Sequence, residues 1–177
     1  MRSFRQVFSA VAMLLLVTAA ACPVLAEVPQ GTSRFVARDR AANRARIEAG
    51  VEKAIAGLNF LFRPFARRRL SVDRFDVGVL AFRVDRGKVT IQHDAHVTTS
   101  PSSGRRVKIA EDGDVIWLSQ KVEADRVLQV FEMDDGKLEL TYLFSPDAKV
   151  VVIHAVLRSP KLPAPVVYHL DFDRKPK

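Results

Sequence analysis

The sequence KLELTYLFSPDAKVVVIHAVL, residues 137–157, contains two strand-like runs joined by a four-residue turn. Between residues 138 and 144 every second residue is large and apolar, and the residues between them are mostly polar. This period of two is typical of a β-strand with one buried face. Serine, proline and aspartate in the link favour a tight turn, so the stretch predicts an antiparallel hairpin.

The same pattern continues on both sides of this hairpin, with turn residues about every ten positions. The predicted strands cover residues 75–84, 88–97, 107–110, 115–124, 127–133, 138–144, 149–157 and 166–172. Most of their links are too short for crossover helices, so neighbouring strands must be antiparallel. The sequence therefore predicts a mainly β (α+β) protein, in which an N-terminal helix precedes an eight-stranded antiparallel up-and-down meander. Such a meander forms a small barrel or a strongly curved sheet.

Residues 47–70 predict an amphipathic helix that packs on this sheet. Apolar residues recur there at spacings of three and four. They are Ile47, Val51, Ala54, Ile55, Leu58, Leu61, Phe62 and Phe65. Pro64 lacks the amide hydrogen that a helix interior needs, so we expect the helix to kink or restart there. The predicted strand at 149–157 is apolar on both faces, and the helix is its predicted cover.

Positive charge is concentrated in one part of the chain. The net charge is +8, and residues 27–74 hold 11 basic and five acidic side chains, whereas residues 75–177 hold 15 of each. Residues 27–46 predict a basic, partly solvated segment in front of the helix. Such asymmetry is typical of a surface that meets anionic lipid, phosphate or nucleic acid. The candidate arginines for contact with anionic lipid are Arg38, Arg40, Arg44 and Arg46.

Residues 1–26 have the layout of a signal peptide. Two arginines precede an apolar run at residues 7–21, and small residues continue up to Ala26, which predicts cleavage before Glu27. The protein is therefore predicted to be exported, periplasmic or secreted, with no transmembrane span after cleavage and no nucleic-acid partner. The alternative is a lipoprotein anchored through Cys22, the only cysteine of the chain, which comes after three alanines.

Two stretches resemble an uncharacterised family of exported bacterial proteins with lipocalin-like strands. They are GLNFLFRPFARRRL at residues 57–70 and SPDAKVVVIHAVLRSPKLPAPVVYHLDFDR at residues 145–174. The resemblance implies a helix followed by a lipocalin-like β domain at residues 75–174, and it implies no ligand or activity. Ala148 stands where the family usually has a turn glycine, and the presence of Asp173 before Arg174 is a second departure.

No arrangement of residues in the sequence predicts a reaction. The chain lacks the nucleophile-elbow, phosphate-loop and zinc-protease motifs. His93 and His96 would point to opposite faces of one continuous strand and could share a metal only if the strand ends there. A zinc site needs three or four converging ligands, so no metal and no cofactor are predicted. His154 lies among valines, as a core histidine would. Whether the protein is an enzyme stays open, and the lack of motifs favours binding.

Two binding functions of different classes fit these features. The first is an exported lipocalin-like protein that binds an apolar or amphipathic small molecule in a cavity. Its candidate ligand-binding residues are Arg63, Arg67, Arg68, Trp117, Tyr142 and His154, with the arginines as anchors for a carboxylate or phosphate. The alternative is an envelope interaction protein whose basic helix contacts anionic lipid or a protein partner, with a barrel filled by its own side chains. An enzyme with an unrecognised site is the second alternative.

Overall fold

The strands form one antiparallel sheet that curls into a barrel in a computed structural model of the chain. The structure describes residues 27–111 and 114–176. The predicted signal peptide, with Cys22, lies outside these described residues. The elements are β1 (Gly31–Ala37), α1 (Arg40–Ile55), α2 (Arg63–Arg69), a one-turn 3-10 helix (Val72–Arg74), β2 (Val79–Asp85), β3 (Lys88–His93), β4 (His96–Pro101), β5 (Val107–Glu111), β6 (Asp114–Val122), β7 (Arg126–Met133), β8 (Gly136–Phe144), β9 (Val150–Arg158) and β10 (Val166–Arg174).

The predicted fold class, a mainly β protein with an antiparallel meander and a packed helix, is confirmed. From β2 to β10 each strand pairs with the next, except that β4 and β5 do not pair, and β1 lies between β2 and β10. The described strands number ten rather than eight. The predicted strand at 88–97 is divided into β3 and β4 by a tight turn at Asp94, whose φ of 51° takes the chain out of strand geometry.

The other additional strand is β1, which lies inside the segment predicted to be basic and partly solvated (residues 27–46). Ser33 and Phe35 point into the barrel and are buried, whereas Arg34 between them is exposed. The two inward positions of β1 are a serine and a phenylalanine with Arg34 between them, so the sequence shows little of the apolar alternation that marks a strand. As a result the helices come after the first strand instead of preceding all of them.

Aromatic side chains fill the barrel interior. The Phe82 ring meets the rings of Phe35, Tyr142 and Phe144 edge to face, with ring centroids 5.0 to 6.1 Å apart. All four rings are at most 5% exposed. Each such pair adds about 0.5–1.5 kcal/mol beyond the burial of apolar area. The centre of the barrel is therefore a packed core.

The chain after β4 closes the seam that the missing β4–β5 ladder leaves. The Gly104 amide donates to the Gln120 carbonyl, and the Val122 amide donates to the Ser102 carbonyl. Gly104 has a φ of +85°, in the left-handed region that glycine adopts without strain. This link pairs with β6 and nearly completes the barrel.

Helix α1 lies beside the part of β10 that β1 leaves unpaired, and not on β9 as predicted. The Asn43 side chain donates to the Asp171 carbonyl at 3.2 Å and accepts from the Asp171 amide at 3.1 Å, as the peptide group of a neighbouring strand would. Further along, Gly50 packs directly against the backbone of Val167. The helix therefore takes the place of a strand at this edge.

The helical segment predicted at residues 47–70, with a kink or restart expected at Pro64, is two helices, and the second begins beside that proline. The Asp39 carboxylate accepts from the Ala42 amide at 2.9 Å and caps α1, which therefore begins earlier than predicted. α1 ends at Ile55, and α2 begins one residue before Pro64. Proline is favoured in the first turn of a helix, where its missing amide hydrogen has no partner to lose.

Candidate functional site

The turn after α1, together with α2, forms a feature that we call the helical corner (residues 56–70). The Asn59 side chain accepts the amide hydrogen of the residue two positions on, at 3.1 Å. The Arg63 guanidinium donates to the carbonyls of Ala56, at 2.6 Å, and Leu58, at 3.0 Å. These carbonyls lie just beyond the end of α1, where helical partners are missing. Arg63 thus fixes the shape of the corner.

Four large apolar side chains of the corner project into solvent. Phe60, Leu61, Phe62 and Phe65 are 73%, 60%, 62% and 72% exposed. Elsewhere in the described part of the chain four further large apolar side chains are exposed, none by more than 59%. A cluster of exposed apolar side chains marks an interaction surface, because isolated ones are common and clustered ones are not.

The prediction that Leu61, Phe62 and Phe65 belong to the buried stripe is wrong. The stripe assumes continuous helical spacing, but α1 ends at Ile55 and the chain turns before α2 begins. The spacing of later residues therefore no longer places them on one face. The corner residues that pack against the core are Leu58, Ala66 and Leu70.

The helical corner carries a net positive charge, since it contains four arginines and no acidic residue. Arg67 forms a two-point ion pair with Glu52, at 2.6 and 2.7 Å, which lowers the pKa of the Glu52 carboxyl. Arg69 acts at longer range on Asp135. Arg68 makes no hydrogen bond or ion pair with any residue that the structure describes. Of the three arginines predicted to anchor a carboxylate or phosphate, Arg68 alone is available to a ligand, because Arg63 and Arg67 are paired with groups of the protein itself.

The four arginines predicted to contact anionic lipid instead pair with carboxylates of the barrel and its links. Arg38 pairs with Asp173, Arg46 with Asp171, and both Arg40 and Arg44 with Asp76, at 2.6 to 2.9 Å. The hydrogen bond from Arg38 also lowers the pKa of the Asp173 carboxyl. These arginines tie α1 and its entry to the barrel, and their charges are compensated there.

A polar cluster lies inside the barrel beside the β4–β5 seam. The Tyr142 hydroxyl donates its one hydrogen to the side-chain oxygen Oε1 of Gln129. The His93 Nε2, which lies 2.8 Å from the same hydroxyl, must therefore be the donor in that second bond. The side-chain amides of Gln129 and Gln120 donate to Thr98 Oγ1, at 2.8 and 3.2 Å. These bonds join β3 and β4 to β6, β7 and β8 across the place where a backbone ladder is missing.

The interior cluster is neutral. Burial lowers the pKa of His93 to about 4 and raises the pKa of Tyr142. No lysine or arginine is buried among the described residues. The barrel interior therefore offers no cation to an anionic head group, and Tyr142, a predicted ligand-binding residue, already uses its hydroxyl within the protein.

The last two predicted ligand-binding residues lie on the outer face of the barrel. Trp117 in β6 is 41% exposed, and the carbon of the Arg106 guanidinium lies 5.1 Å from the centroid of its ring. His154 in β9 is exposed opposite His169 in β10, because the register turns Ile153 and Ala155 inward instead. The structure does not bring Trp117, Tyr142, His154 and the arginines together.

Two depressions among the described residues lie neither in the barrel nor at the corner. The larger, about 440 Å³, is at the opposite end of the barrel, between Val28 and the β8–β9 turn. The smaller, about 170 Å³, lies on the outer face around Thr90 and Thr99. The cavity that a ligand inside the barrel requires is thus not among them.

The described residues form neither a metal site nor a membrane-spanning helix. No group of three or more histidine, cysteine, aspartate or glutamate side chains is placed to hold a metal ion there. None of the helices in that part of the chain combines the length and apolar character needed to cross a bilayer.

Sequence reasoning missed the interior cluster and the exposure of the corner. Gln120 and Gln129 each stand on the apolar face of a predicted strand, and a polar residue at such a position is a signal of a buried hydrogen-bond network. Gly57 and Asn59, which interrupt the predicted helix, were the signals of the turn that exposes the corner.

A ten-stranded antiparallel barrel with two helices after its first strand defines the protein as a small β-barrel protein. Its similar solved structures include secretory abundant heat soluble protein 4 from Ramazzottius varieornatus (10% identity, 87% of this chain and 96% of that chain, TM-score 0.47). Human cRBP IV is also similar, with 13% identity over 84% of this chain and 98% of that chain and a TM-score of 0.46. The REP1-NXSQ fatty acid transporter has 12% identity over 84% of this chain and 96% of that chain and a TM-score of 0.43. At these values the likenesses carry no conclusion about a ligand of this chain.

No protein-family model matches the sequence, and a search of curated proteins found no relative. The resemblance to a family of exported bacterial proteins therefore stays a prediction. What can be said of function rests on the residues of this chain.

Proposed function

We propose that this protein is an exported binding protein whose ligand is an amphipathic, negatively charged lipid contacted by the helical corner. The observation that carries the proposal is the exposure of Phe60, Leu61, Phe62 and Phe65 by 60–73% in a segment without acidic residues. Acyl chains remove apolar side chains from water, and a phosphate or carboxylate attracts the neighbouring arginines. The corner supplies both interactions.

The proposed lipid contact is at the corner, and no lipid needs to enter the barrel. A ligand in the interior would have to displace the packed rings around Phe82, and it would find no charged partner there. Arg68 has no competing partner among the described residues. The arginines at positions 38, 40, 44 and 46 contribute less, because carboxylates already neutralise them.

Export is part of the proposal and rests on the leader at residues 1–26. Val28 is buried, and its amide donates to the Ala124 carbonyl at 3.1 Å. Cleavage before Glu27 would leave this contact and all ten described strands intact. The intact mass of the protein recovered after export gives the cleavage point, and an acylated N-terminal Cys22 would show the lipoprotein alternative instead.

Titration with micelles of lysophosphatidylglycerol tests lipid binding. Replacing Phe60 and Phe65 together by serine is expected to weaken binding about tenfold or more, because full burial of each ring contributes about 1.5–3 kcal/mol. The matched control replaces Val97 and Val167, which are also exposed but lie on strands. Absence of binding by the unaltered protein, or equal binding by the Phe60→Ser/Phe65→Ser variant, would show the proposal to be wrong.

A further inference from the structure

We infer that the helical corner docks on the surface of an anionic bilayer, rather than enclosing a single lipid molecule. This inference rests on the proposed lipid binding and names the physical form of the partner. Three features of the corner support it, namely its protruding shape, the position of its charge and its rigidity.

The corner protrudes, because four of its large apolar side chains are 60–73% exposed. Single-molecule sites bury most of their ligand in a cleft, and no residue of the corner lines either of the two depressions described above. Behind the corner, Leu58, Ala66 and Leu70 pack against the core. Protruding rings such as those of Phe60 and Phe65 suit insertion between the lipids of a bilayer, which closes around them.

The charge of the corner complements an anionic surface. Arg68 has no protein partner in the described part of the chain, and Arg69 lies in the same last turn of α2. Arginine places its guanidinium at the head groups while its stem stays with the apolar side chains.

The same charge disfavours a second copy of the chain as the occupant. A two-fold interface at the corner would place the Arg68 and Arg69 side chains of one copy near those of the other, with no acidic residue in the corner to compensate them.

The hydrogen bonds of Asn59 and Arg63 hold the corner in shape before it meets a partner. Docking therefore orders few additional groups.

Vesicle flotation tests the inference with the processed protein, because an uncleaved leader would itself bind lipid. Vesicles of phosphatidylglycerol and phosphatidylcholine in equal parts are compared with phosphatidylcholine vesicles and with dihexanoyl phosphatidylglycerol kept monomeric. We expect binding to the anionic vesicles, about tenfold weaker binding to the neutral ones, and weakening as salt rises from about 0.1 M to about 1 M. We expect no stoichiometric binding of the monomeric lipid.

Matched variants locate the contact. Phe60→Ser/Phe65→Ser and Arg68→Glu/Arg69→Glu should each reduce vesicle binding about tenfold or more. Val97→Ser/Val167→Ser changes exposed apolar side chains elsewhere, and Arg86→Glu/Lys88→Glu makes the same change of charge at the β2–β3 turn, at the other end of the barrel. Both controls should bind within about twofold of the unaltered protein.

The contrary outcomes separate the two levels of the proposal. Stoichiometric binding of the monomeric lipid without vesicle binding overturns bilayer docking and leaves lipid binding at the corner intact. Binding of neither form overturns both. A lipid-free dimer that the Phe60→Ser/Phe65→Ser variant dissociates, seen by sedimentation, overturns bilayer docking in favour of self-association.

Discussion

Single polar side chains in the barrel interior depend on complete hydrogen bonding. The Tyr142 hydroxyl donates to the side-chain oxygen of Gln129 and accepts from the ring nitrogen of His93. A buried polar atom without a hydrogen-bond partner destabilises the folded protein by its desolvation free energy, about 1–3 kcal/mol. The cluster therefore makes the barrel sensitive to changes of a single atom near the β4–β5 seam.

Replacing Tyr142 by phenylalanine removes that hydroxyl and leaves Gln129 and His93 without a shared partner. We expect the free energy of unfolding to fall by about 1–3 kcal/mol, measured by urea denaturation. The control is Tyr168→Phe, since the Tyr168 hydroxyl has no hydrogen bond within the described part of the chain and its loss should cost less. An equal loss in the two variants would contradict the role of the cluster.

Protonation of His93 should oppose folding. The ordinary pKa near 6.5 is lowered by burial to about 4 in the folded protein, with a smaller opposing effect of Asp94 and a smaller lowering effect of His96. The unfolded chain therefore binds more protons between these values, and stability falls as pH decreases from about 6.5 to about 4. From pH 7 to pH 4.5 this histidine should account for a loss of about 2 kcal/mol.

The comparison that isolates His93 is the difference in unfolding free energy between pH 7 and pH 4.5, measured for the unaltered protein and for His93→Gln. Carboxylates paired with arginines contribute to acid destabilisation in both proteins, so their effect cancels. We expect the variant to lose about 2 kcal/mol less. A parallel pH dependence would show that His93 does not titrate in this range.

At the scale of elements, the close approach of α1 to β10 depends on Gly50. A Cβ atom at this position would lie 2.5 Å from the Val167 carbonyl oxygen. Gly50→Ala should therefore lower the free energy of unfolding by about 1–3 kcal/mol, although alanine favours a helix by about 1 kcal/mol over glycine. Thermal unfolding measures the change, and a more stable variant would mean that α1 moves away without cost.

The elements also show where sequence patterns suffice and where they fail. β8 and β10 keep closely to the period of two, because each alternates apolar residues in the core with more polar residues on the other face. β1 does not display this period, because Phe35 is its only large inward-facing apolar residue and its other buried position is Ser33. The corner is mistaken for buried helix because apolar spacing alone does not reveal that the helix stops at Ile55. Tertiary packing sets the path of the chain beyond that residue.

The candidate site was predictable in composition and not in placement. The arginines and phenylalanines of residues 57–70 stand out in the sequence, but the sequence does not show which arginines of the chain find partners within the protein. Asp76, Asp171 and Asp173 neutralise the front arginines, and Glu52 pairs with Arg67. The folded barrel therefore determines which arginines remain without a partner, and no local sequence pattern predicts this.

At the scale of the whole molecule, a filled barrel carries an apolar and basic corner at one end. Buried rings around Phe82 fill the interior of the barrel, whereas Phe60 and Phe65 are exposed to solvent. The barrel thus serves as a rigid support that fixes the corner through the contacts of α1 with β10. Function in this account belongs to the surface, and the interior provides stability.

The depth of Phe65 in an anionic bilayer tests this account most directly. The chain has one tryptophan, Trp117, so a Phe65→Trp/Trp117→Phe variant and the unaltered protein each carry a single fluorophore. On phosphatidylglycerol vesicles with brominated acyl chains, we predict blue-shifted and quenched emission from the Phe65→Trp/Trp117→Phe variant, and little quenching of Trp117 on the barrel wall. Unquenched emission from the bound variant, or strong quenching of Trp117, would contradict docking through the helical corner.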